Sequence, residues 1–219
     1  MNRLRNILIN YLPTIGILIF VGLYIYSTTL YPGGSQVDTN SKGFDWINNY
    51  WCTMFDLKAI NGQLNPARPF SIIGMIILWL SLLVFFYMFS ETLSTNQIWK
   101  KVIQISGTIS LIFASLLFTK LHDFVTTLSS IIGLFALIGI ILGVAKSNLI
   151  LYKITGIASM ILLLINNYIY YTRQFIYSLP LIQKFTFLII LLWIVGLNYK
   201  MIQIKKTKIK TGYNTRYSK

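Results

Sequence analysis

Asp45, Asp56, His122 and Asp123 are the residues of this chain whose types could hold a divalent metal ion. Zinc takes imidazole and carboxylate ligands, and a position left open on the ion would carry a water activated for hydrolysis. Asp56, His122 and Asp123 are the catalytic candidates within that set. Spacing argues the other way, because one histidine is few for zinc and neither H-x-x-x-H nor H-E-x-x-H occurs. Each residue also has an ordinary structural role open to it. Asp45 and Asp123 stand where helix caps are expected, Asp56 is a loop charge near Lys58, and His122 can simply face water. No motif calls for a cofactor, and a divalent cation is the one such ligand these residue types allow. A nucleophilic enzyme has less support still. There is no G-x-S-x-G elbow, and Cys52, the only cysteine, has no papain-like motif around it, so a small buried thiol is its default role.

A second group of residues could bind a polar or anionic ligand: Asp45, Asn49, Arg68, Asn166, Asn167, Tyr170 and Arg173. The guanidinium forks of Arg68 and Arg173 fit a phosphate or a carboxylate. Pairing with Asp56 and Asp123 is the simpler use for them. Asn166, Tyr170 and Arg173 recur at i, i+4 and i+7, on one helix face. The adjacent amides Asn166 and Asn167 need partners in another helix or a wet cavity, because an unsatisfied amide in hydrocarbon costs several kcal/mol.

The elements that carry these residues are membrane helices. Of the 219 residues 55% are hydrophobic and only 11% charged, against roughly 25% charged in a soluble domain; mean hydropathy is +0.66. An ordinary soluble globule is excluded. One cysteine also excludes a disulfide framework. A span needs about 20 apolar residues, and six runs qualify: 7–29, 70–90, 98–119, 124–144, 149–171 and 179–199. The first exceeds a signal-peptide core and lacks an A-x-A-like cleavage site before Tyr31, so it reads as a retained helix. The expected fold is an all-α, polytopic six-span bundle with a structured outer loop over 31–69 and a basic tail over 200–219.

Lysine and arginine set the orientation, since short cytoplasmic loops hold the excess. With the N-terminus inside, 13 of the 19 cations fall on the inner side and 6 on the outer. Both termini then lie in the cytoplasm, in an inner-membrane protein. The net charge of +14 is therefore a topology signal, and nucleic acid is not an expected partner. The tail holds 7 of the cations and no acid; anionic lipid attracts such a tail by about 1 kcal/mol per basic residue near the surface. Four of the five acids, the histidine and the cysteine fall on the outer face. Ionisable groups near a membrane usually mark a function, so the outer face is where a site is expected.

Within the outer loop, Pro32, Gly33 and Gly34 form a turn. A helix is expected over 45–60, ended by Asn61 and Gly62. Its spacing would put Asp45, Asn49, Cys52 and Asp56 on one stripe, with Trp46, Tyr50, Trp51, Met54 and Phe55 on other faces at the headgroup boundary. Gly74, Gly133, Gly139 and Gly196 are expected to let helices pack closely.

The stretches Tyr31–Ser35, Gly43–Cys52 and Asn61–Arg68 together resemble the first outer loop of bacterial six-span proteins similar to the Frag/DRAM-like membrane proteins. In those relatives a Tyr/His-Pro-Gly turn leads into an Asn-x-x-Ser-Asp-Leu-Gly-like stretch. Asn49, Tyr50, Trp51 and Cys52 occupy roughly that stretch here, and Asp56-Leu57 stands for the Asp-Leu pair. The resemblance implies six spans and an outer loop that matters; it brings no activity and no catalytic residue. A more distant analogy is to six- or seven-span hydrolases that hold zinc with several histidines, which this chain lacks.

The leading expectation is a bundle that binds a lipid or a partner, either another membrane protein or a second copy, through its outer cap. The alternative is a membrane-embedded hydrolase, with or without a metal, at Asp56, His122 and Asp123. A small transporter is third, because no charge lies mid-span and no broken-helix pair is evident.

Overall fold

Six helices account for nearly all of the regular structure: α1 (Asn2–Leu30), α2 (Arg68–Leu93), α3 (Gln97–Ala114), α4 (His122–Ala145), α5 (Ile150–Thr172) and α6 (Leu179–Tyr217). They are taken from a computed structural model, which describes the backbone of residues 2–119 and 121–217 and the side chains of 8–119, 121 and 124–207. Two short 3₁₀ turns, Trp51–Phe55 and Ile176–Ser178, complete the elements. Among the described residues there is no strand beyond two isolated bridges, Gly33 with Lys42 and Lys58 with Leu64.

Among the described residues five segments are long and apolar enough to cross a membrane: Leu8–Leu30, Arg68–Leu93, Phe124–Ala145, Ile150–Thr172 and Ile176–Thr207. The third expected run is not among them. Its helix stops at Ala114, and residues 115–118 are turns. The Ser115 hydroxyl bonds back to the Ile112 carbonyl at 2.7 Å, a local contact that competes with helix continuation. Lys100, Lys101 and Gln104 keep the first half of α3 polar. The last helix runs on past the expected end of its span at Tyr199.

Consecutive helices pack as pairs, α1 on α2, α3 on α4 and α5 on α6, and α6 returns against α1 and α2. Phe20, Tyr24, Leu78, Phe85, Phe89, Ile103, Leu197 and Met201 form the core where the pairs meet. Helix surfaces elsewhere expose large apolar side chains such as Leu18, Leu80, Ile105, Ile157 and Leu192. Water would penalise so much exposed hydrocarbon, and lipid does not. Three of the four expected packing glycines sit at tight crossings. A β-carbon at Gly133, Gly139 or Gly196 would come within 2.8 Å of Ser110, Ile103 or Tyr152 respectively, while at Gly74 it would make ordinary contact.

The loop between α1 and α2 departs from expectation. No helix spans 45–60; a single turn at 46–48 and the 3₁₀ turn Trp51–Phe55 replace it. Side chains take the backbone groups that a helix would pair with one another. The Asp45 carboxylate accepts from the Ile47 and Asn48 N–H groups at 2.9 and 3.1 Å. The Asn65 amide donates to the Met54 and Asp56 carbonyls at 3.1 and 3.0 Å. The expected polar stripe therefore does not form.

Candidate functional site

Loop 31–67 folds into a plug over one end of the bundle. Gly33 and Gly34 have positive φ, at 140° and 85°, which opens the turn after Tyr31 as expected from Pro-Gly-Gly. Gly34 donates to Ser41 at 2.8 Å and Asn61 donates to the Gly33 carbonyl at 3.2 Å, so the loop's two halves are tied at this turn. The Tyr31 hydroxyl accepts from the Ile60 N–H at 3.1 Å. Burial raises the Tyr31 pKa, against the opposing pull of that bond.

Trp51 fixes the plug to the bundle. Its ring packs on Tyr24 at 3.7 Å between centroids, on Phe187 at 5.3 Å and on Phe20 at 6.2 Å, so it wedges between α1 and α6. The Tyr24 hydroxyl donates to the Trp51 carbonyl at 2.6 Å. On the other side Phe55 meets Phe118 at 5.2 Å, and Phe118 also lies against Trp79 of α2. The α3–α4 connection thus reaches the same end as the loop.

Asn49 is the internal lock. It is 0% exposed. Its amide donates to the Gly34 carbonyl and accepts from the Asp45 N–H, both at 2.8 Å. Its carbonyl accepts from the Lys184 ammonium, which also donates to the Pro180 carbonyl at 3.1 Å. Lys184 is 9% exposed and lies 5.7 Å from the centre of the Phe44 ring. Two carbonyls and an aromatic face are what a desolvated ammonium requires.

The groups gathered around this lysine form the polar centre of the cap. Burial works to raise the Asp45 carboxyl, but bonds from the Asn48 amide and the Asn48 and Ile47 N–H groups, with the Lys184 charge, hold it below its ordinary value. Burial pushes the Tyr50 phenol up, with Cys52 adding to the shift and Arg173 opposing it. Asp45 and Asn49 are joined to Lys184 by the contacts above, and Arg173 borders them on the Tyr50 side.

Of the expected ligand residues, Asp45, Asn49 and Arg173 are in this cluster. Arg173 caps α5 in a left-handed conformation, with its guanidinium 5.1 Å from the Tyr170 ring centre. Arg68 lies apart, donating from Nε to the Phe55 carbonyl at 2.9 Å. It borders an open depression of about 550 Å³ with Leu57, Leu64 and Pro66. Asn166 donates to Thr186 of α6 at 2.6 Å, the interhelical partner expected for it. Asn167 turns instead to the Leu163 carbonyl of its own helix at 2.9 Å. Asp56 follows the 3₁₀ turn. The side chains of His122 and Asp123 lie outside the described residues; among the described residues no group of three or more His, Cys, Asp or Glu comes together.

Lys184, one of the six cations assigned to the outer side, was not among the expected site residues. Its signal was position: it lies five residues inside the last apolar run, and an ionisable residue there is a functional or structural marker by default.

No family model, curated protein or solved structure matches this chain.

Proposed function

We propose that this protein is a six-span protein of the cytoplasmic membrane, with both termini inside, whose outer cap binds the headgroup of a phospholipid. The carrying observation is the depression beside Arg68. A guanidinium that suits phosphate stands between Leu57 and Leu64, whose side chains are 64% and 72% exposed. Leucines directed to the acyl boundary with an arginine at headgroup level are the pattern of an interfacial lipid contact. Trp46 and Ile47 extend the exposed apolar rim of the same loop.

The sixth span is α3. Its 18 residues rise about 27 Å, and it packs along the length of α4, itself apolar enough to cross. The orientation rests on the lysine and arginine bias.

A photoactivatable phospholipid analogue tests the cap. In vesicles, label is expected on the peptide covering 57–69 and is expected to fall about tenfold in Arg68→Gln, the loss of about 1.4 kcal/mol. Label spread evenly over all helices, or unchanged in the variant, would overturn the reading. Single cysteines at Val37 and Ser147, in a Cys52→Ser background, test orientation: Val37→Cys should react with an impermeant thiol reagent from outside and Ser147→Cys should not.

The hydrolase reading keeps one observation in its favour. The Phe55–Phe118 contact brings the connection that leads to His122 and Asp123 beside the loop that carries Asp56. Stoichiometric zinc in the purified protein, lost in His122→Ala, would favour that reading.

A further inference from the structure

The opposite end of the bundle carries a groove of different character. It has a volume of about 310 Å³ and lies between the start of α1, the second half of α2 and the middle of α3. Ile9, Leu83 and Tyr87 form its exposed rim and Met88, 3% exposed, its floor. Thr108 and Gln104 line the α3 side. The Gln104 amide is turned away to the Ser90 hydroxyl at 2.8 Å, which leaves the groove an apolar surface.

Lysines gather where the groove ends. Lys101, Gln104 and Thr108 are spaced i, i+3 and i+7, so Lys101 stands one turn beyond the lining on the same face of α3. Lys100 is beside it, paired with Glu91 at 2.7 Å. Glu91 is itself one turn beyond Met88 on α2. On α1, Asn10 follows Ile9 and accepts from the Lys205 ammonium at 3.4 Å. Lys206 lies 6.0 Å from the centre of the Tyr11 ring. Of these four lysines, Lys100, Lys101 and Lys205 stand around the single glutamate at the mouth of the groove, and Lys206 lies on the Tyr11 side of α1.

We infer that this groove binds one anionic phospholipid, its acyl chain along Ile9, Leu83, Tyr87 and Met88 and its phosphate at Lys101 and Lys205. Charge selects this occupant. A second copy would bring the same lysines against these ones, and like charges in contact oppose association. An uncharged lipid would fill the groove but leave the cationic excess uncompensated. Lys100 is the least available of the four, because Glu91 already holds it. The site is separate from the cap and stands whether or not the cap binds lipid.

The test is native mass spectrometry of the full chain released from nanodiscs of equal parts phosphatidylglycerol and phosphatidylcholine. One phosphatidylglycerol is expected to survive release in preference to phosphatidylcholine. Each lysine contributes about 1 kcal/mol, so Lys101→Gln is expected to lower retention about fivefold and Lys101→Gln with Lys205→Gln about 25-fold. Thr108→Phe, which fills the groove without touching charge, should also abolish retention. Lys153→Gln, away from both the groove and the cap, should leave it unchanged. Equal retention of the two lipids, equal losses in the Lys153 control, or a dimer broken by Thr108→Phe would each overturn the assignment. The exposed Lys101→Gln variant keeps the test decisive if Thr108→Phe fails to fold.

Discussion

Replacing Asn49 by alanine is the sharpest probe of how the cap is held. The side chain is fully buried and makes two bonds at 2.8 Å, to the Gly34 carbonyl and from the Asp45 N–H. Truncation leaves both backbone groups without those partners, while the bond from Lys184 to the Asn49 carbonyl can persist. A stranded buried group costs about 1–3 kcal/mol. Asp45 is half-buried, so water can reach its N–H in part and the lower end applies there. The sum is about 2–4 kcal/mol for the variant. For a chain of this size each kcal/mol moves the midpoint by about 2–4 °C, so a fall of about 10 °C is expected. Thermal unfolding of the detergent-solubilised protein, followed by tryptophan fluorescence, measures it, since Trp51 reports the seating of the plug. Asn48→Ala removes a half-exposed bond to the Asp45 carboxylate and should shift the midpoint by no more than about 3 °C. If the two variants unfold within a degree of each other, the cap is not locked through Asn49 and the reasoning fails.

Three further outcomes follow from the same contacts. The folded Asp45 pKa lies below the unfolded value, so its contribution is present above the unfolded carboxylate range and is lost as pH falls through the lower, folded value. Protease cleavage within 31–67 should therefore rise on acidification, and Asp45→Asn should flatten that rise; an unchanged pH profile in the variant would refute the assignment. Gly34→Ala forces a β-carbon against Asn61 and Ile60 at a φ of 85°, and strain of this kind costs about 1–3 kcal/mol. A midpoint fall of about 2–12 °C is expected, whereas Gly43→Ala, with open space around it, should show only the smaller effect of its own positive φ. The one cysteine offers a third readout, because Cys52 lies close enough to Lys184 to feel its charge. Lys184→Met should raise the alkylation rate of Cys52 about tenfold for each ~1.4 kcal/mol of weakened closure, compared at a pH where the thiol is fully ionised in both proteins, because the lost cation otherwise disfavours the thiolate and slows the reaction.

Helix positions were legible because hydrophobic length and polar punctuation are local properties. Pro69 at the first turn of α2, the Asn96 cap that accepts from Trp99 at 2.9 Å, and the breaks at Ser94 and Ser147 all lie where the apolar runs end. The Pro32-Gly33-Gly34 turn was equally visible, since only glycine takes those φ values easily. The loop's interior was not legible. Asp45 and Asn49 fit a helical stripe by spacing, yet they and Asn65 spend their side chains on backbone groups 2 to 15 residues away. Spacing reports periodicity and cannot report which backbone group a short polar side chain will take.

Lys184 shows why the cap and the bundle cannot be judged separately. A lone ammonium in an apolar run is unfavourable by several kcal/mol before any partner is found. Its partners are a carbonyl of its own helix, the Asn49 carbonyl and the Phe44 ring, and the last two come from the loop. The loop therefore completes the environment that lets α6 hold a charge at this depth, and the charge in turn fixes the loop. Lys184→Met separates the two effects. It removes the desolvation cost along with two charged bonds worth about 1.5–3 kcal/mol each, so the global midpoint should move by only a few degrees while Cys52 becomes accessible. A large loss of global stability with Cys52 still protected would mean that the lysine holds the helices together and the loop only covers them.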